Sequence, residues 1–174
     1  MVFHKCSIND LSLLKDISER TYLETFAEHN TQECMEAYLQ TAFNEEKLAN
    51  EINNPGSVFY IAYHDGVPAG YLKLNEPEAQ TDVNDIESIE LERFYLLADY
   101  HGKGFGKQLF QKALDFAVQK KKSYLWLGVW ERNYRAIAFY TKMGLYRTGE
   151  HVFVMGDEDQ IDNIMRLDLG GAGA

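Results

Sequence analysis

Residues 101–107 read HGKGFGK. Three glycines alternate with a histidine, two lysines and a phenylalanine, and a helix-like pattern follows. Glycines let backbone N–H groups approach an anion closely, and a helix N-terminus adds about half a positive charge. The stretch therefore has the chemistry of a phosphate cradle. The competing reading is a tight strand-to-helix turn that needs glycine for its angles. It is not a P-loop, because no Ser or Thr follows Gly106-Lys107, and it is not the Rossmann fingerprint, whose third glycine comes later. A few residues earlier stand Glu90 and Glu92. Alternation along a strand puts both on the face that carries Phe94 and Leu96. A carboxylate takes a proton from a group of much higher pKa only if burial raises its own pKa or water relays the proton; otherwise such a pair faces solvent or an arginine. Further on, Ala136, Phe139, Tyr140 and Met143 form a helical stripe that by itself reads as core packing.

These groups need positioning elements, and the chain supplies a regular series. Residues 1–7 read as a first strand. "NDLSLLKDISERTYLETF" has helical spacing, with Asn9 or Asp10 as N-cap. "TQECMEAYLQTAF" and "NEEKLANEIN" read as two short helices capped by Thr31 and Asn44. "SVFYIAYH" and "VPAGYLKLN" flank Asp65-Gly66, a strong hairpin signal. Residues 76–85 are polar and contain Pro77, hence a loop. "IESIELERFYLL" is a strand, Gly104 to Lys121 an amphipathic helix, "YLWLGVW" a buried strand, and "NYRAIAFYTKM" a helix ending before Gly144. "LYRTGEHVFVM" and "DNIMRLDL" close the sheet. The order predicts a mixed α/β sheet with helices on its faces. Residues 1–169 read as one domain, and 170–174, "GGAGA", as a flexible tail of the kind cloning leaves.

"ELERFYLLADYHGKGFGKQL" resembles the acetyl-CoA motif of the GCN5-related N-acetyltransferases (GNAT), in which a bulged strand enters an Arg/Gln-x-x-Gly-x-Gly/Ala loop. Gly104 and Gly106 match its glycines; His101 stands where that family usually has Arg or Gln. "NYRAIAFYTKMGL" resembles a second segment of the family, with Asn133, Ala136, Phe139, Tyr140 and Gly144 in place and Leu145 where Phe is usual. "FAEHNTQECMEAYLQTAFN", "WLGVWERN" and "FVMGDEDQIDNIM" extend the likeness over nearly the whole chain, toward the PaiA-type polyamine acetyltransferases. The resemblance implies an α/β (α+β) GNAT fold: a central mixed, mostly antiparallel twisted sheet of about seven strands flanked by helices on both faces.

It also implies roles. The amides from Gly102 through Lys103, Gly104, Phe105 and Gly106 to Lys107 would clamp the CoA diphosphate, with the two lysines as charge support. The backbone of Phe94, Tyr95 and Leu96 would receive the pantetheine arm, with the Leu96 N–H as oxyanion donor. Asn133 would bond the CoA arm or cap its own helix, and Arg135 would reach a phosphate or sit in solvent. Tyr140 would be the general acid for the CoA thiolate, since a phenol near pKa 10 can protonate a thiolate whose thiol is near 8.5. Glu90 falls where several members place a catalytic glutamate, as base or relay; Glu92 is the second candidate.

The chain of 174 residues has 27 acidic and 17 basic side chains and a formal net charge of −10. That balance argues against direct nucleic-acid binding and suits a small cationic amine as partner, although solubility alone could explain it. Asp157, Glu158, Asp159 and Asp162, with Glu24, Glu28 and His29, are candidate cation contacts, each equally readable as a solvated turn or helix end. The histidine spacing predicts no metal site. Cys6 and Cys34 read as free thiols of a cytoplasmic protein without signal peptide or membrane span; a homodimer is left open. The sequence thus points to direct transfer from acetyl-CoA to a primary amine of spermidine, spermine or a similar small amine. The alternatives are acetylation of a peptide N-terminus or lysine, and a non-catalytic acetyl-CoA-binding regulator.

Overall fold

Asp65 and Gly66 both take positive φ, 50° and 78°. They join β2 (Ser57–His64) to β3 (Val67–Asn75) in the two-residue turn expected of an Asp-Gly pair. The computed structural model describes residues 1–155 and 158–170, apart from the side chains of 153–155, 158 and 159. In chain order the elements are β1 (Val2–Lys5), α1 (Leu11–Phe26), α2 (Gln32–Ala42), α3 (Glu45–Asn53), β2, β3, β4 (Ser88–Leu96), α4 (Phe105–Gln119), β5 (Tyr124–Trp130), α5 (Tyr134–Lys142), β6 (Tyr146–Met155) and β7 (Glu158–Asp168). The strands make one mixed sheet in the order β1-β2-β3-β4-β5-β7-β6, flanked by the helices. β4 and β5 run parallel through Ser88–Glu90 and Tyr124–Trp126. The pairs β1–β2, β5–β7 and β6–β7 are antiparallel.

Helix starts follow local hydrogen-bond chemistry. The Thr31 hydroxyl accepts from the Cys34 N–H at 3.3 Å, and Asn44 Oδ1 accepts from the Lys47 N–H at 2.8 Å, caps worth about 1 kcal/mol each. At α1 the chain first makes a 3-10 turn over Ile8–Asp10. The Asp10 carboxylate reaches back to the Ser7 N–H at 2.7 Å and hydroxyl at 3.0 Å, so β1 ends earlier than residue 7. At the other end β7 begins at Glu158 rather than Asp162, because the β6 ladder continues to Met155↔Glu158. The acidic stretch after residue 157 is therefore strand, not turn.

The chain divides into two compact units. The first comprises Met1–Leu74 and Arg93–Gln111. Leu14, Ile17, Leu48, Ile61 and Leu72 are fully buried in it. A charged cluster lies among them: Glu51 accepts from the Arg93 guanidinium at 2.8 and 3.0 Å and from Lys73 Nζ at 3.3 Å. The guanidinium also stacks on Phe43 and Phe59, 5.3 and 5.8 Å from the ring centres.

The second unit comprises Asn75–Glu92 and Lys112–Ala174. Leu125, Leu127 and Val129 of β5 point into its core. The opposite face of β5 carries Tyr124, Trp126, Gly128 and Trp130. The segment 76–87 is fastened to that face: Trp126 Nε1 donates to Gln80 at 3.1 Å and the Tyr124 hydroxyl to Asp85 at 2.6 Å.

Candidate functional site

The glycine loop lies in the first unit. Gly102 and Gly104 have φ of 73° and 80°, and a Cβ on either would meet nothing within 4 Å. Backbone angle, not space, demands glycine at both, and the loop is open above them. α4 starts at Phe105, so the amides of its first turn have no partner within the helix. Lys103 and Lys107 are exposed beside them. The Phe105 ring turns inward onto His64 at 4.5 Å and Tyr100 at 5.8 Å, leaving its backbone for the loop. This open ring of amides at a long helix N-terminus fits a diphosphate.

The strand exit that feeds the loop is braced. His101 Nε2 donates to the Leu96 carbonyl at 2.8 Å. The Leu97 N–H donates to the Ala69 carbonyl at 2.9 Å, and the Ala98 N–H to the Glu24 carboxylate at 2.7 Å. Glu24, one of the acids suggested for a cationic ligand, is thus a fastening of this turn. His101, the departure from the family pattern, closes it. Gly70 lies so close that a Cβ there would stand 2.4 Å from the Tyr95 carbonyl oxygen. Tyr95 stacks on Tyr71 at 5.8 Å, Phe94 meets Phe110 edge-on at 6.1 Å, and Leu96 is buried. The side chains of Phe94 and Tyr95 are half-buried and engaged in these ring contacts.

The carboxylates lie in the second unit. Glu90 is only 2% exposed. It accepts from the Thr81 N–H at 2.9 Å, from the Thr81 hydroxyl, and from Asn75 Nδ2 at 2.9 Å. The same Asn75 nitrogen donates to Glu92 at 2.6 Å, and Glu92 is half-buried. Burial pushes the Glu90 pKa up; the Thr81 and Asn75 bonds oppose this, and the Glu92 charge adds to it. Asn75 and Thr81 were not legible as site residues in the sequence. Asn75 ends a strand, and Thr81 sits in a segment that polarity and Pro77 mark only as a loop.

Tyr140, on α5 in the same unit, is buried, and desolvation alone raises its pKa well above the ordinary 10. Its hydroxyl is therefore held as the neutral acid. Asn133 caps α5, its Oδ1 accepting from the Ala136 N–H at 3.2 Å, and its amide nitrogen remains for a ligand. Arg135 is exposed. Glu28 and His29 are exposed beyond α1. Asp157 lies outside the described residues, as do the side chains of Glu158 and Asp159. Asp162 is half-buried on β7. Cys6 and Cys34 are free, and burial raises the Cys6 thiol to about 12, so it is inert. Among the described residues no group of His, Cys, Asp and Glu is placed to hold a metal ion, and no helix is long and apolar enough to cross a membrane.

Comparison with known proteins identifies the family. The family model described as the acetyltransferase (GNAT) family matches residues 17–145. The chain is 44% identical over 163 residues to an uncharacterized N-acetyltransferase of Lactobacillus delbrueckii subsp. lactis, covering 94% of each chain. It is 30% identical over 167 residues to a spermidine N(1)-acetyltransferase of Thermoplasma acidophilum, covering 92% of each. The crystal structure of the PaiA N-acetyltransferase of T. acidophilum in complex with coenzyme A superposes with a TM-score of 0.74 at 26% identity. That match covers 97% of this chain and all of the other.

Proposed function

The chain belongs to the acetyltransferase (GNAT) family and is an acetyl-CoA-dependent N-acetyltransferase; we propose that its acceptor is a primary amine of a polyamine such as spermidine or spermine, or of a similar small cation. The observation that carries this reading is the full-length likeness to a spermidine N(1)-acetyltransferase, joined to the formal charge of −10. We take residues 1–169 as one catalytic domain working in the cytoplasm.

Acetyl-CoA supplies the acetyl thioester. The amides of Gly102 to Lys107 hold its diphosphate, with Lys103 and Lys107 adding charge, and Arg135 reaches a further phosphate. The backbone of Phe94, Tyr95 and Leu96 receives the pantetheine arm, the Asn133 amide nitrogen donates to it, and the Leu96 N–H meets the oxyanion.

An alkylammonium with a pKa near 10.4 is almost wholly protonated at neutral pH, and presenting it as free base costs about 5 kcal/mol. The Glu90–Asn75–Glu92 group answers this cost. Half-exposed Glu92 is the member that meets the acceptor or its water. Buried Glu90, with its raised pKa, is the relay behind it. The free amine attacks the thioester carbon, the C–S bond breaks, and Tyr140 gives its proton to the departing thiolate. No cysteine lies in either motif, which favours direct transfer over an acyl-cysteine intermediate.

The test is a screen of amines and peptides with acetyl-CoA, following thiol release. Turnover of spermidine or spermine above that of peptide amines is expected. Turnover of peptides alone would assign the enzyme to protein acetylation, and CoA binding without any transfer would make it a sensor.

A further inference from the structure

The carboxylate of Asp162 is placed unusually. It stands on β7, opposite Trp130 of β5 and opposite His151 of β6, in the interior of the sheet order. It is half-buried, yet it makes no side-chain hydrogen bond among the described residues. His151, which faces it in register, is engaged elsewhere: its Nδ1 is 2.9 Å from Asp82 Oδ2. Removing a carboxylate from water without giving it donors is costly, and burial raises its pKa, opposed only by the nearby His151. A group in this condition gains from an added cation.

The neighbouring residue keeps the carboxylate reachable. Gly128 interrupts the run of large residues in "YLWLGVW", and it is exposed where its strand neighbours are buried. A Cβ built on Gly128 would lie 3.5 Å from Asp162 Oδ2 and 3.8 Å from Asp162 Cβ. The missing side chain leaves a notch whose wall is that carboxylate. Strand parity places the notch on the same face as Trp126 and Trp130, and on the face to which Glu90 of β4 belongs, since Glu90 pairs with Trp126. From Glu90, the relay behind the reacting nitrogen, to Asp162 the backbone path is four residues of rise and two strand spacings, about 16 Å between Cα positions, and Glu92 lies two residues from Glu90 on the same face.

We propose that Asp162, in the notch opened by Gly128, is the subsite for a second, protonated nitrogen of the acceptor, and so the residue that selects long polyamines over short monoamines. This rests on the reading of the enzyme as a small-amine acetyltransferase and adds to it a residue-level basis for selectivity. The nitrogen that reacts must be neutral, whereas the nitrogen that is recognised must be charged. The separation keeps the two requirements on different carboxylates. Trp130, directly across from Asp162, offers an apolar wall for the methylene chain and a ring face for the ammonium.

The experiment compares wild type, Asp162→Asn and Gly128→Ala with spermidine and with propylamine as acceptors, alongside acetyl-CoA KM and thermal unfolding. Asn matches Asp in shape, and a methyl at Gly128 makes only ordinary contact, so both variants should keep the fold. Asp162→Asn should raise the spermidine KM about tenfold to a hundredfold, the scale of a charge-assisted hydrogen bond, with propylamine and acetyl-CoA constants unchanged. Gly128→Ala should raise the spermidine KM in the same direction with the carboxylate intact. A spermidine KM unchanged in both variants, or raised equally for propylamine, would overturn the subsite while leaving the polyamine activity standing. A wild type that acetylates neither amine would overturn the functional reading and the subsite with it.

Discussion

Substituting Gly70 by alanine should damage this enzyme more than its stability. The added Cβ would lie 2.4 Å from the Tyr95 carbonyl oxygen, 2.6 Å from Leu96 Cδ2 and 3.0 Å from Leu96 Cα. The leucine methyl can rotate away, but the two backbone atoms cannot, so β3 and the end of β4 must separate. Overpacking of this kind costs about 1–3 kcal/mol, offset by about 0.4–1 kcal/mol because alanine restricts the unfolded chain. The net of about 1–2 kcal/mol lowers Tm by about 2–8 °C for a chain of this length. The atoms displaced are those proposed to receive the pantetheine arm and the oxyanion. A misplacement near 1 Å costs about a hundredfold in rate. Thermal unfolding with steady-state kinetics at saturating acetyl-CoA would show both effects. A variant with unchanged Tm and full kcat/KM would refute the argument that this close approach sets the geometry of the strand exit.

Other outcomes follow from the same structure. Tyr140→Phe should lower kcat by about 10²–10⁴-fold, the range of general acid catalysis, while CoA affinity measured by calorimetry stays within about twofold; full activity would remove Tyr140 from the mechanism. Glu51→Gln leaves Arg93 and Lys73 without the carboxylate they share, and breaking such a buried set costs about 3–5 kcal/mol, visible as a large fall in urea midpoint. The raised Glu90 pKa gives a pH signature. The folded state holds the Glu90 proton more tightly than the unfolded state, so this group's contribution to stability is full below the ordinary value of 4.5 and is lost as pH rises through the raised value. The stability of wild type relative to Glu90→Gln should therefore decline from pH 4.5 upward, and a pH-independent difference in urea unfolding would contradict the burial argument.

Much of the architecture was legible because it is carried by local chemistry. The Asp65-Gly66 turn, the caps at Thr31 and Asn44 and the apolar run of β5 each depend on neighbours in sequence. The glycine turn before α4 was legible for the same reason, since Gly102 and Gly104 declare their positive φ by being glycine. What the sequence hid is long-range. Nothing near Asn75 announces that its amide bridges Glu90 and Glu92 fifteen and seventeen residues on, and nothing near Glu24 points to the Ala98 amide. The glycines inside strands were the overlooked signal: Gly70 and Gly128 mark a close backbone approach and a notch, the usual meanings of glycine in a strand. His101 became intelligible only when its bond to the Leu96 carbonyl was seen.

The most direct test of the account is mass analysis of the products formed from acetyl-CoA and an equimolar mixture of spermidine, spermine, propylamine and a lysine-containing peptide. Acetylated spermidine or spermine is expected as the main product, with one CoA thiol released per acetyl group transferred. Acetylated peptide as the main product, with the polyamines untouched, would contradict it.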